Sequence, residues 1–232
     1  MRLGLQKLTL LDFPGVVACT VFSCGCNFRC PFCHNASLVL SAGDELLPDA
    51  EVLAFLRKRA GILDGVCFTG GEPLLHEAVP DLMRQAKDLG YKVKLDTNGS
   101  FPERLQRVLE SEVADYVAMD IKNSPAKYAR TSGSENALPL VERSVELLMA
   151  GSTPYEFRTT VTGNLHEVED FAAIGRWIGG APRYFLQAFL ESGEVLVPDP
   201  GYAVSAEKLA ACLAAVRPFV PAAEIRGREP GK

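Results

Sequence analysis

Three cysteines within eight residues, Cys26, Cys30 and Cys33, set a C-x3-C-x2-C spacing in the run Cys26-Asn27-Phe28-Arg29-Cys30-Pro31-Phe32-Cys33-His34-Asn35. Thiolates are soft ligands for zinc and for iron-sulfur clusters. A structural zinc ion wants four closed ligands, and this loop offers three. Cys24 or His34 would have to complete a zinc site, and adjacent Cys33 and His34 could hardly both reach one ion. On a four-iron cluster, by contrast, three thiolates leave one iron open to a substrate. The chain holds seven cysteines, at 19, 24, 26, 30, 33, 67 and 212. An odd number clustered in this way points to metal, cluster or redox chemistry rather than to a disulfide framework. Cys19, Cys67 and Cys212 stand alone in apolar segments and read as packing residues. Cys24 reads as a spectator beside the loop, with a redox-sensitive thiol as the alternative.

Further along lie three polar stretches: Thr69-Gly70-Gly71-Glu72-Pro73, Asp96-Thr97-Asn98-Gly99 and Met119-Asp120-Ile121-Lys122. Paired glycines let backbone approach a ligand closely, and a carboxylate beside them can accept hydrogen bonds from an ammonium group. Alone, a Gly-Gly-Glu-Pro stretch is more often a plain turn, and Asn98-Gly99 alone also reads as a solvated strand-end turn. Arg158 and Gln187 could face the same cleft or serve as surface or packing residues. His76 reads as a helix-start residue.

The elements that must position these groups alternate. Strand-like runs span 5–11, 16–22, 66–68, 91–96, 114–120, 155–161 and 183–189, with a Pro14-Gly15 turn between the first two. Helical patterns fill 48–58, 74–89, 102–110, 139–150, 166–178 and 205–216, the last capped by Ser205. About six βα units call for a parallel sheet covered by helices. The three polar stretches then end strands, where ligands of parallel sheets bind. Periodicity does not separate a doubly wound sheet from an open barrel. A single domain is expected over residues 1–220, with 221–232 as a loosely held tail rich in Gly, Pro and charge.

The 232 residues are 47% hydrophobic and 23% charged, ordinary globular usage. The net charge of −5 argues against long nucleic acid as a partner. The longest clean apolar run, 209–216, is far shorter than the roughly 20 residues of a membrane helix. No continuous secretory core follows Met1, and the expected location is the cytoplasm.

The cysteine loop, with Phe32 just before its last cysteine, resembles that of the radical S-adenosylmethionine (SAM) superfamily. The following His34-Asn35 and the preceding Leu11-Asp12-Phe13-Pro14-Gly15 narrow the likeness to activating proteins of glycyl-radical enzymes. It is most like the activators of anaerobic ribonucleoside-triphosphate reductase, with those of pyruvate formate-lyase close by. The likeness runs from about residue 6 to 189.

This resemblance implies a partial (β/α)6 barrel, an open parallel sheet with outer helices. It implies a 4Fe-4S cluster on Cys26, Cys30 and Cys33, with SAM on the open iron. Candidate SAM contacts are Phe32, His34, Gly70, Gly71, Glu72, Asp96, Asn98, Asp120, Lys122 and Arg158, with Gly71 and Glu72 at the methionine amino group. Asp96, Thr97, Met119 and Asp120 would surround a monovalent cation. No side-chain acid, base or nucleophile is required. The implied activity is reductive cleavage of SAM to a 5′-deoxyadenosyl radical, which takes hydrogen from a glycine of the partner. Flavodoxin or ferredoxin would supply the electron. His166 receives no role, because the corresponding histidine of pyruvate formate-lyase activators lies farther beyond its strand. The alternatives are a radical SAM enzyme acting on a small molecule or RNA, and a zinc-binding interaction module.

Overall fold

The computed structural model describes residues 2–40, 46–191 and 195–227. Among the described residues nine strands form one sheet: β1 Arg2–Thr9, β2 Ala18–Ser23, β3 Leu47–Pro48, β4 Gly65–Gly70, β5 Lys92–Thr97, β6 Tyr116–Asp120, β7 Tyr155–Val161, β8 Tyr184–Ala188 and β9 Ala223–Arg226. Their spatial order is β3-β1-β2-β4-β5-β6-β7-β8-β9. The leading hairpin β1–β2 is antiparallel, and every pairing from β2 to β9 is parallel. The sheet is therefore open and mostly parallel, as the βα alternation requires.

Among the described residues eight α-helices accompany it: α1 Ala36–Val39, α2 Asp49–Arg59, α3 Val79–Asp88, α4 Pro102–Glu110, α5 Tyr128–Ser132, α6 Ala137–Ala150, α7 Val168–Trp177 and α8 Ala206–Val216. Alternation along each strand sends successive side chains to opposite faces. In β5, Val93 and Leu95 enter a core shared with Phe68, Val117 and Phe157 of neighbouring strands and with Met83, Leu105, Val145 and Ile174 of the helices. The opposite face carries Cys67, Lys94 and Tyr116 in one register row, then Asp96 and Ala118, and then Asp120 beside Arg158. One face of the sheet is apolar and helix-covered. The other is polar.

Two sequence expectations are corrected. The helix expected over 74–89 is two pieces, a 3-10 turn at Pro73–Leu75 and α3. Glu72 accepts the Leu74 N–H at 2.9 Å and closes the turn, His76 is extended, and Pro80 opens α3 where its missing N–H costs nothing. The tail expected from residue 221 contains β9, which pairs with β8. Arg226 anchors it, bonding the buried Glu156 of β7 at 2.5 and 2.7 Å and lying 3.4 Å over the Phe185 ring. Residues 228–232 of that expected tail fall outside the described ones.

Candidate active site

The C-terminal ends of β2, β4, β5, β6 and β7 converge on one cavity enclosing about 830 Å³, including its solvent-open mouth. Cys26, Cys30 and Cys33 line it together with Phe32, His34, Gly70, Gly71, Asp96, Asn98, Asp120, Lys122 and Arg158. Thirty residues or more separate the cysteine loop from the next of these segments, and the parallel register brings them to one rim.

The loop is held from three sides. Arg29 N–H donates to the Ser132 carbonyl at 2.8 Å, at the end of α5. Leu196 and Val197 N–H donate to the Cys33 and Pro31 carbonyls at 3.2 and 2.9 Å. The end of β4 presses on the loop's start, with Gly71 N–H on Ser23 O and Glu72 N–H on Gly25 O, both at 2.9 Å. A Cβ on Gly71 would overlap the Gly25 carbonyl, and one on Gly70, which sits at φ +118, would overlap Ser23. Both glycines are thus required by loop-on-strand packing. The close approach expected toward a ligand is, first, an approach of the chain to itself.

The thiols sit in a prepared setting. Cys26 Sγ accepts from Phe28 N–H at 3.3 Å and from Asn98 Nδ2 at 3.6 Å. Asn98 is itself fixed by Asn27 at 3.1 Å and by the Ser100 N–H at 2.9 Å. Burial pushes the Cys30 thiol up to about 12 and raises that of Cys26, so a bound metal centre must draw these protons off. Among the described residues, no three His, Cys, Asp or Glu side chains converge so as to hold a single metal ion. Three thiols lining one cavity match the donor count of a four-iron cluster with one open iron and fall one short of a closed structural zinc site.

Beside them stands a five-membered charge cluster. Arg158 bridges two carboxylates, with Nη1 to Asp96 Oδ2 at 3.1 Å and Nε to Asp120 Oδ1 at 2.9 Å. Lys122 Nζ takes Asp120 Oδ2 at 2.9 Å, and Lys94 Nζ takes Asp96 Oδ1. Burial alone would raise the Asp120 carboxyl, but Arg158 and Lys122 outweigh it and bring it to about 2. Burial would likewise lower Lys122, and Asp120 reverses the sign. Asp120, Lys122 and Arg158 therefore hold their charges at neutral pH.

Three residues that the sequence suggests for the site do not line this cavity. Glu72 is fully buried behind the rim and absent from the cavity lining. Its oxygens accept from Leu74 N–H, from Thr97 Oγ1 at 2.8 Å and from Asn98 N–H at 2.7 Å, tying β4's end to β5's. Burial pushes it up to about 7 against the pull of these donors. The structure places it as a brace of the rim. Met119 points into the helix-side core under Gly99. Gln187 shares a register row with Thr160 and Arg226 but does not line the cavity.

The histidines divide. His34 lines the cavity and stacks on Phe189 at 4.7 Å, and burial lowers its pKa. His166 is fully buried, accepting the Thr162 N–H on Nδ1 at 3.1 Å, so Nε2 carries the proton it donates to the Lys122 carbonyl at 2.8 Å. It positions the Lys122 backbone. His76 closes on the Cys24 carbonyl at 2.5 Å. Cys24 stays outside the cavity, and Cys19, Cys67 and Cys212 are fully buried.

Lys94, Thr160, Glu156 and Arg226 are absent from the sequence expectations. Their signal is present in retrospect. Lys94 lies two residues before Asp96, and Glu156 two before Arg158, so period-2 alternation puts each on the functional face.

The radical SAM superfamily model matches residues 20–178. A Methanocaldococcus jannaschii protein provisionally named as a glycyl-radical enzyme activating enzyme is 30% identical over 197 residues, covering 80% of this chain and 78% of its own. The pyruvate formate-lyase-activating enzyme of Clostridium pasteurianum is 33% identical over 125 residues, covering 52% of this chain and 51% of its own. In fold, a radical SAM methyltransferase from Sphaerobacter thermophilus superposes with a TM-score of 0.66 at 16% identity, over 92% of this chain and 67% of that one. The cysteine loop over the strand-end rim and these matches make the chain a member of the radical SAM superfamily, with glycyl-radical enzyme activating enzymes among its relatives.

Proposed function

We propose that this protein installs a glycyl radical on a partner enzyme, with anaerobic ribonucleoside-triphosphate reductase as the first choice. Cys26, Cys30 and Cys33 would hold the 4Fe-4S cluster, and the rim from Gly70 to Arg158 would hold SAM. When bound, the two supply one-electron cleavage of the cofactor's carbon-sulfur bond and, through the 5′-deoxyadenosyl radical, abstraction of a hydrogen atom from glycine. The chain's own part is to bind, orient and exclude water. Asn98 and the Phe28 N–H support the Cys26 sulfur, and Lys122 and Arg158 present positive charge to the methionine carboxylate. Phe28, Phe32 and Val39 form the dry wall.

The observation that carries a protein substrate is the charge pairing on the polar face. Lys94, Lys122, Arg158 and Arg226 are each engaged by Asp96, Asp120 or Glu156. Other relatives are named as a GTP cyclase and a nucleotide dehydratase; their phosphorylated substrates call for cations beyond those that meet SAM. A face whose cations are already paired favours an uncharged backbone segment such as a glycine loop. The reductase is preferred on the overall resemblance of the sequence to its activators, and the similarity to a pyruvate formate-lyase-activating enzyme makes that enzyme the runner-up. The proposed setting is the cytoplasm, with flavodoxin or ferredoxin as electron donor.

Anaerobic incubation of the reduced, cluster-loaded protein and SAM with each candidate enzyme tests this by electron paramagnetic resonance. A glycyl doublet on the reductase is the expected result. A doublet only on another enzyme would replace the first choice, and SAM cleavage without a doublet on any candidate would turn the reading toward a small-molecule substrate.

A further inference from the structure

We propose that Arg158 is a built-in counter-cation that takes the place of the monovalent ion which the family resemblance puts among Asp96, Thr97, Met119 and Asp120. All four oxygens of the two carboxylates already face a fixed cation: Lys94 and Arg158 on Asp96, Arg158 and Lys122 on Asp120. Arg158 spans the pair with separate nitrogens, at 2.9 and 3.1 Å, and a second nitrogen also meets Asp120 at 2.9 Å. A guanidinium keeps its charge at any working pH, and its planar fork matches carboxylate geometry.

The remaining expected ligands are engaged or turned away. Thr97 Oγ1 donates to Glu72 and accepts the Gly99 N–H at 3.1 Å. The Met119 side chain lies in the core on the other face. The residues present therefore do not fit an alkali ion.

Charge balance leads to the same place. Three fixed cations, Lys94, Lys122 and Arg158, already face the two carboxylates, so the cluster is net positive before any ion is added. An alkali ion would add a further like charge to a largely buried cluster, where charges are costly unless paired. The inference rests on family membership and SAM binding, and is independent of which partner receives the radical.

The test is SAM affinity of the cluster-loaded protein, measured by anaerobic equilibrium dialysis at constant ionic strength in tetramethylammonium, sodium or potassium chloride. The wild-type affinity is expected to agree within about twofold across the three salts, because no state of the site takes up the ion differentially. Arg158→Gln, which leaves two carboxylates facing each other, is expected to bind roughly tenfold more weakly in tetramethylammonium and to recover in potassium or sodium, as a nearby cation offsets like-charge repulsion. Wild-type affinity that rises several-fold with potassium or sodium would overturn the proposal. So would an Arg158→Gln protein with full iron and sulfide whose weakened binding no alkali ion restores. Should that variant fail to fold, the wild-type salt series decides alone.

Discussion

The same strands present two faces of opposite character. Toward the helices, Val66, Phe68, Val93, Leu95, Val117 and Phe157 are fully buried apolar side chains. One residue along each strand, the other face carries Cys67, Lys94, Asp96, Tyr116, Asp120, Glu156 and Arg158, engaged in ion pairs and hydrogen bonds. Apolar burial is non-directional and scales with area, so the helix side holds the fold and tolerates exchanges of similar volume. Charged pairs are directional, and their removal leaves a partner stranded. The polar side places chemistry, and there each group depends on its neighbours.

Substitutions can break this contrast. The largest effect is expected from Cys30→Ser, which removes a cluster ligand and should cut reductive SAM cleavage by roughly a thousandfold, about 4 kcal/mol of barrier. Iron content and 5′-deoxyadenosine yield measure it, while circular dichroism should stay that of the native fold. Undiminished 5′-deoxyadenosine would remove Cys30 from the ligand set. On the helix side, Phe157→Ala should do the reverse, lowering stability by about 3–5 kcal/mol through the cavity it leaves. Denaturant melts follow it, and the residual folded protein should still load iron.

A pH effect sharpens the comparison. Burial holds the His166 pKa at about 4, below its ordinary 6.5. The unfolded chain therefore binds this proton more readily, and stability is full above about pH 6.5 and lost as pH falls toward 4. The contribution is about 3 kcal/mol. His166→Gln should flatten that part of the stability profile; an unchanged difference between pH 7 and 4 would deny His166 its role. The smallest effect is expected at the sheet's edge. Arg226→Ala strips the bidentate partner from Glu156 and should cost about 1–3 kcal/mol, with Tyr116 still donating at 2.9 Å. A loss near zero would mean that β9 is held by its backbone pairing with β8 alone.

Much of the site was legible because its signals are local. The C-x3-C-x2-C spacing carries its ligand count in the sequence, and the polar residues at 96–98 and 120–122 follow strand-like runs, so the rim was expected before the fold was seen. Glu72 illustrates what local reading misses. Its type suits an ammonium ligand, yet its direction is decided by Thr97 and Asn98, which lie 25 and 26 residues away. β9 was hidden for a similar reason. Gly, Pro and charge around Ala223–Arg226 signal a loose tail, and the partner that orders Arg226 is Glu156, 70 residues earlier.

The sequence by itself determined the three-cysteine spacing, the βα order and the strand ends that bear polar groups, because residue spacing, hydrophobic period and turn residues act over a few positions. Only the tertiary structure decided how the charges pair. Lys94, Asp96, Asp120, Lys122 and Arg158 come together through parallel register and a shared face, and the long reach of a guanidinium links two strand ends. That register is set by core packing over the whole sheet. Whether a carboxylate meets a ligand, an ion or an arginine is therefore settled by contacts that no single segment contains.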